Sequence, residues 1–316
     1  MDDQMTIDRS AQPTADQDRW VVLRNRKSGN AKDEDEELDA AIAELGEVEV
    51  VELDPDSDLS GRARQAAKDG ASVVVAAGGD GTAMAVARGL CGTGTAMGIL
   101  PQGTFNFFAR GLGLPEDRVE AARALRVASR SRLSLGAVEG EVFLNNVSFG
   151  IYPAILKDRE EVYASWGRSR VAAYWSVIRT FMKAQRPLRA TLTLDGVERK
   201  VVTPLIFVAR SAYQLDHFNL PGIEAVRDDR MVVFVGKRTG KRGLFLQAWH
   251  LWRGSMQVGR DIEVLTAREL TVKTDRPRVL VACDGEKARL QSPVHLTMKD
   301  DCLDVLIPAT DSEETP

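Results

Sequence analysis

The stretch SVVVAAGGDGTAMAVARGL, Ser72 to Leu90, decides the fold of this chain. Val73, Val74 and Val75 open a short apolar run of β-formers, and a helical pattern begins after Thr82. Between them lie Gly78, Gly79, Asp80 and Gly81. Glycine tolerates positive φ and lets other groups approach the main chain closely. Set between a buried strand and a helix, such a turn aims bare amides and a helix N-terminus at one point, which suits a phosphate. Asp80 belongs there only if a cation accompanies the phosphates, and Mg2+ with a nucleotide meets that condition. Read alone, the same residues are equally a tight strand-to-helix turn with Thr82 as its cap. The motif is not a P-loop, since no Gly-Lys-Ser/Thr follows, and it is not GxGxxG.

Two further stretches share this layout. MGILPQGTFNFFARGLGLP carries a strand to Leu100, the turn Pro101-Gln102-Gly103-Thr104, then a helix with Asn106 in its first turn. NRKSGN, Asn25 to Asn30, also follows a short apolar strand, Trp20 to Leu23. Thr82 and Thr104 are 22 residues apart, which places neighbouring turns at the same sheet edge. Ligands of open α/β sheets bind at that edge. Three such turns at successive strand ends read as a nucleotide cleft.

The flanking sequence supports a parallel sheet. DEDEELDAAIAELG is a helix with Leu38, Ile42 and Leu45 at helical spacing and Gly46 as its stop. EVEVVEL is a strand, and LSGRARQAAKDG is a helix ended by Gly70. Alternation of this kind predicts strands covered by helices. After about residue 134 the texture changes. Asp195-Gly196 separates two β-rich runs, a strong hairpin signal. RMVVFVGKR, RELTVKTDRPRVLVACDGE and PVHLTMKDDCLDVLIP continue as strands, with helical segments expected near 165–185 and 242–254. The predicted fold is α/β with two domains: a Rossmann-like α/β nucleotide-binding domain over 18–134 and a β-rich, sandwich-like domain over 135–300. Residues 1–17 and 309–316 are polar and without periodicity, and are expected to be disordered.

A length of 316 residues suits two domains. The net charge of −4 disfavours nucleic acid as a partner. Cys91, Cys283 and Cys302 are too few for a disulfide framework, which fits a reducing compartment. The acidic, polar N-terminal stretch lacks the apolar core of a secretory signal. No apolar run approaches the ~20 residues of a membrane span. The expected location is cytoplasmic.

Taken in order, NRKSGN, GGDGT, PQGTFNFFARGLGLP, FLNNVSFGIYP and CDGE resemble the diacylglycerol-kinase catalytic family. That family includes bacterial lipid kinases and is related to sphingosine kinases and, distantly, to NAD kinases. The likeness covers roughly residues 18–308. GGDGT alone is shared with NAD kinases, whereas PxGTxNxFAR with a late DGE is specific to the lipid-kinase side. The resemblance implies an active site in the cleft between the two domains, with residues 301–308 returning to the first. It implies ATP and Mg2+ as cofactors and transfer of the γ-phosphoryl group to a lipid hydroxyl, on a diacylglycerol-like or related lipid. A kinase of a soluble substrate, as NAD kinases are, and a catalytically weak nucleotide- or lipid-binding protein are the alternatives.

Carried over by position, Asn25, Ser28, Gly78, Gly79, Gly81, Thr82, Gly103, Thr104 and Asn106 fall on the nucleotide site. Asp80, Asp284 and Glu286 fall on catalytic positions, with Asp80 holding Mg2+ directly or through water. Read alone, VLVACDGEKARL is equally a hairpin with an Asp-Gly turn.

The match has departures. Phe107 stands where the family often has a polar residue after Asn106, and Ser134 stands where it often has Asp. Both positions belong to an acidic network beside the metal in characterised relatives. Asp228-Asp229-Arg230 replaces a frequent DDG, and Val208-Ala209-Arg210-Ser211 replaces an Asn-rich run. Residues 231–260 carry a net +6 and residues 157–189 a net +5, and they include Trp166, Trp175, Trp249 and Trp252. Such segments suit an anionic membrane surface. They are equally a solvated charged face and a helical core stripe of Trp175, Ile178 and Met182. A homodimer is compatible with this reading. His217, His250 and His295 lack metal-ligand spacing and read as structural.

Overall fold

The computed structural model describes residues 19–25, 32–54, 57–103, 105–150, 187–237 and 259–309. The chain divides into two compact units, one formed by residues up to Leu135 with those from Lys299 onward, the other by Gly136–Met298. Among the described residues no helix is long and apolar enough to cross a membrane.

The first unit alternates strand and helix: β1 (Trp20–Asn25), α1 (Lys32–Glu44), β2 (Glu49–Leu53), α2 (Leu59–Lys68), β3 (Val73–Gly78), α3 (Asp80–Leu90), β4 (Ala96–Pro101), α4 (Phe107–Gly111) and α5 (Arg118–Arg126). The strands lie in the order β2-β1-β3-β4, all parallel. Every residue of β3 and of β4 is buried, as expected for parallel strands covered on both faces. Leu38 and Leu45 of the α1 region are buried at their predicted spacing, and Gly46 follows with φ +85°. Asp58 caps α2, its carboxylate accepting from the Gly61 amide at 2.8 Å.

The boundary between the units falls within β5 (Ser129–Val138) and within β16 (Val294–Ile307). From Lys299 onward β16 belongs to the first unit, where Val305 pairs in parallel with Met97 of β4. Asp304, buried beside this pairing, takes ion pairs from Arg130 at 2.9 Å and Arg132 at 3.2 Å.

The second unit comprises β6 (Glu141–Phe143), β7 (Asn146–Gly150), β8 (Leu188–Leu194), β9 (Val197–Thr203), β10 (Leu205–Ala209), α6 (Ala212–His217), α7 (Ile223–Arg227), β11 (Met231–Gly236), β12 (Ile262–Ala267), β13 (Glu269–Thr274), β14 (Arg278–Cys283) and β15 (Glu286–Gln291), with the first residues of β16. One antiparallel sheet runs β12-β11-β10-β7-β14-β15. β9, β8 and β13 form a second antiparallel set, which β13 extends to Val294–Thr297.

The β8–β9 hairpin turns at Asp195 and Gly196, with φ of 45° and 87°, the positive pair that a two-residue loop requires. The Asp195 carboxylate accepts from the Arg268 and Glu269 amides, both at 2.9 Å, which ties the turn to β13. Helices α6 and α7 were not expected from periodicity. Ser211 caps α6 by accepting from the Gln214 amide at 3.1 Å. Both helices pack over a cluster of Ala209, Leu215, Val226, Val232 and Phe234. The helical segments expected near 165–185 and 242–254 lie outside the described residues.

Candidate functional site

The registers of β1, β3 and β4 align Arg24 with Ala77 and Gly78 with Pro101. Asn25, Gly78 and Pro101 therefore end their strands together at the carboxyl edge of the sheet. The first glycine turn follows Gly78. The earliest main-chain bond of α3 runs from the Ala83 amide to the Gly79 carbonyl, so the amides of Asp80, Gly81 and Thr82 precede the helical ladder. A Cβ on Gly81 would meet nothing within 4 Å. A Cβ on Gly78 would occupy the space of the Thr82 side chain. Thr82 does not cap the helix. Gly79 holds the N-cap position without a side-chain bond, and Thr82 is buried against Gly78.

The second turn lies directly against the first. The Gln102 amide donates to the Gly78 carbonyl at 3.0 Å. A Cβ on Gly79 would stand 3.2 Å from the Gly103 Cα, and one on Gly103 would stand 2.9 Å from the Gly79 Cα. Asn106 braces this turn from both sides. Its Oδ1 accepts from the Gly103 amide at 2.8 Å and its Nδ2 donates to the Gly103 carbonyl at 2.7 Å. It does so from the left-handed region, φ 47°, which Asn tolerates better than most residues. Only glycine at both 79 and 103 allows so close an approach of two main chains.

Asp80 begins α3, and its Oδ1 accepts from the Phe108 amide at 3.3 Å, which links α3 to α4. Burial raises the Asp80 carboxyl above the ordinary aspartate range, opposed by the amides of residues 106–108 and by the Arg110 charge. Two buried polar atoms at the same edge have no hydrogen-bond partner among the described residues, Asn25 Oδ1 and Gln102 Nε2. One accepts and the other donates. Buried polar groups are normally satisfied, so this pair suits a polar ligand. Gln102 is the site residue that sequence reasoning missed. It stands inside the quoted PQGT turn, but nothing in its type distinguishes it from an exposed turn residue. Ser28 and Thr104 lie outside the described residues, as do the four tryptophans of the basic segments.

In the second unit, Asp284 and Gly285 turn the hairpin from β14 to β15, with Cys283 opposite Glu286. The hairpin reading of this stretch holds. Both Asp284 oxygens are engaged by main-chain amides: Oδ2 by Leu144 at 2.8 Å, Oδ1 by Asn145 at 2.8 Å and Asn146 at 2.9 Å. Its own amide donates to the Asn146 carbonyl at 2.9 Å. Glu286, two residues on, is exposed.

The departures from the family pattern have local partners. Phe107 stacks on Phe105 with ring centroids 5.4 Å apart. Ser134 accepts from the Asp301 amide at 3.3 Å through its hydroxyl. Arg210 and Asp229, from two separate departures, form one ion pair at 2.5 Å, and Arg210 also donates to the Val226 carbonyl. Arg230 pairs with Asp195 of the β8–β9 turn. Among the described residues no group of three or more His, Cys, Asp or Glu side chains gathers to hold a metal.

Residues 19–138 match the family model of the diacylglycerol kinase catalytic domain. A probable lipid kinase, YegS-like, from Chromohalobacter salexigens is 36% identical over 140 residues, 43% of this chain and 44% of that protein. A Pseudomonas aeruginosa protein of the same name is 36% identical over 147 residues and matched over 47% of its length. The matched region thus spans less than half the length of these curated relatives. A diacylglycerol kinase of Mycobacterium tuberculosis is 28% identical over 246 residues, 76% of this chain and 78% of that one. The crystal structure of a diacylglycerol kinase from Bacillus anthracis superposes with a TM-score of 0.68 at 19% identity, over 92% of this chain and 97% of that chain. At that identity the superposition establishes the two-domain fold.

Proposed function

Because residues 19–138 match the family model of the diacylglycerol kinase catalytic domain, we propose that this protein is an ATP- and Mg2+-dependent lipid kinase. Its acceptor is the hydroxyl of a diacylglycerol-like or related lipid. The observation that carries the reading is the contact of Gly79 with Gly103, which sets two strand-to-helix turns side by side at one sheet edge.

Phosphoryl transfer requires positioning and charge neutralisation more than covalent chemistry. ATP with its Mg2+ supplies the transferred group and neutralises its charge. The amides at the start of α3 orient the phosphates, helped by the partial positive charge of the helix N-terminus. Gln102 Nε2 and Asn25 Oδ1 complete the polar lining. The Asp80 carboxylate holds the cation. The same carboxylate, reaching the cation through water, accepts the hydroxyl proton. Glu286 is the second acid of the reaction. Asp284 acts as a positioning residue, since main-chain amides occupy its carboxylate.

The reading is tested by incubating the purified chain with labelled ATP, Mg2+ and a detergent-dispersed total lipid extract, with NAD in a parallel reaction. Label is expected in the organic phase. Label on NAD alone would move the assignment to a soluble substrate. A weak binder is favoured by one observation, that Phe107 and Ser134 stand where the family often has a polar residue and an Asp. Tight ATP binding without transfer to any acceptor would establish that reading instead.

A further inference from the structure

The first unit holds a pair of cysteines away from this edge. Cys91 caps the C-terminal end of α3, and Cys302 lies on β16. The amide following Cys91, that of Gly92, donates to the Cys302 carbonyl at 2.6 Å. A peptide N–H lies on the same side of its bond as the preceding Cα, so this contact sets the two Cα atoms roughly 4–7 Å apart. That separation overlaps the span of a disulfide. The Cys91 side chain neighbours the Cys302 thiol, and both residues are only partly buried. The third cysteine, Cys283, is in the other unit and serves as an internal reference.

We propose that Cys91 and Cys302 form a modification site, a dithiol that hydrogen peroxide closes to a disulfide and small thiols reopen. The Cys91 thiolate attacks one peroxide oxygen, the O–O bond breaks, and the departing hydroxide is protonated to water. Cys91 is left as a sulfenic acid. The Cys302 sulfur then attacks the Cys91 sulfur, and the S–O bond breaks. The leaving hydroxide takes the Cys302 proton as a second water. The two sulfurs together lose two electrons and the peroxide gains them.

Burial and the contact with Cys91 push the Cys302 thiol up to about 12, so this thiol keeps its proton at neutral pH. The bond joins residues 211 apart in sequence, a span over which a crosslink strongly restricts the unfolded chain. It fastens the far end of the helix that begins with Asp80 to the strand beside β4.

The test treats the full chain with hydrogen peroxide, blocks remaining thiols with iodoacetamide and digests it without reductant. The expected product is a peptide pair linked through Cys91 and Cys302, lost on adding dithiothreitol, with melting raised by several degrees and restored by the same reductant. Cys283→Ser should give the same pair, and Cys302→Ser should give neither the pair nor the shift. Alkylated Cys302 beside a sulfinic acid at Cys91 would overturn the proposal. So would a crosslink through Cys283, or two fully alkylated thiols after an exposure that oxidises Cys283.

Discussion

Gly79 and Gly103 meet main chain to main chain, with room for no side-chain atom between them. A methyl group on Gly103 would lie 2.9 Å from the Gly79 Cα and 2.7 Å from Asn106 Oδ1. Gly103→Ala must part the two turns or break the Asn106 brace. It is expected to cost about 1–3 kcal/mol, the usual scale of overpacking. Denaturant melts check the stability and calorimetry with a non-hydrolysable ATP analogue checks the site, where affinity should fall in step.

Gly81→Ala separates folding from binding. The position lies in the first turn of α3 with nothing within 4 Å. Alanine is favoured over glycine in a helix by roughly 0.8–1 kcal/mol, so melting should hold or rise. Nucleotide affinity should drop about tenfold if phosphates rest against this amide, since the methyl group would stand in their place. Unchanged affinity would remove Gly81 from the site.

Asp80→Asn is expected to stabilise the protein while disabling it. Because burial raises the folded pKa, the contribution of Asp80 to stability is full below the unfolded carboxylate pKa and is lost as pH rises through the folded one. At neutral pH the ionised carboxylate is therefore a liability that Asn removes. Melting in metal-free buffer should rise at pH 7, and the gain should vanish toward acid pH. Lipid phosphorylation should fall by at least ~10²-fold, the scale of a positioned acid–base group. Near-normal turnover would reduce the glycine edge to a nucleotide scaffold.

Asp284→Asn should move stability the other way. Its oxygens accept three amides, and an amide NH2 would face one of those donors. A loss of about 1–3 kcal/mol is expected in denaturant melts, the scale of an unsatisfied buried group.

Glu286→Gln replaces an exposed side chain, so melting should stay put while turnover falls by ~10²-fold. Steady-state kinetics of Asp80→Asn and Glu286→Gln together should show a loss well short of the product of the two, because groups acting as a unit are not additive. Full additivity would mean that the two acids serve separate steps.

The strands and helices of the first unit were legible because burial imposes two different periods on them. β3 is an unbroken apolar run, while α1 carries Leu38, Ile42 and Leu45 on one face. The Asp195-Gly196 and Asp284-Gly285 turns were legible because their positive φ pair restricts the residues allowed. What escaped was whatever depends on distant partners. Helices α6 and α7 are six and five residues long, too short for a periodic signal. Thr82 has the residue type of a cap, but its side chain packs on Gly78. The main-chain bonds that occupy Asp284 come from residues about 140 positions earlier, which no local pattern encodes. The departures at Arg210 and Arg230 read as losses in sequence, but each brings an ion pair.

The pairing of Val305 with Met97 sets an order on biosynthesis. The ribosome releases β4 some two hundred residues before the stretch from Lys299 that lies beside it. During that interval the emerging first unit offers an unpaired strand edge, the kind of surface that nascent chains use to pair wrongly or to recruit chaperones. Its sheet closes only when residues 299–307 leave the exit tunnel. Premature termination anywhere in the second unit would therefore leave the first one open, although every residue of its glycine turns had already been made.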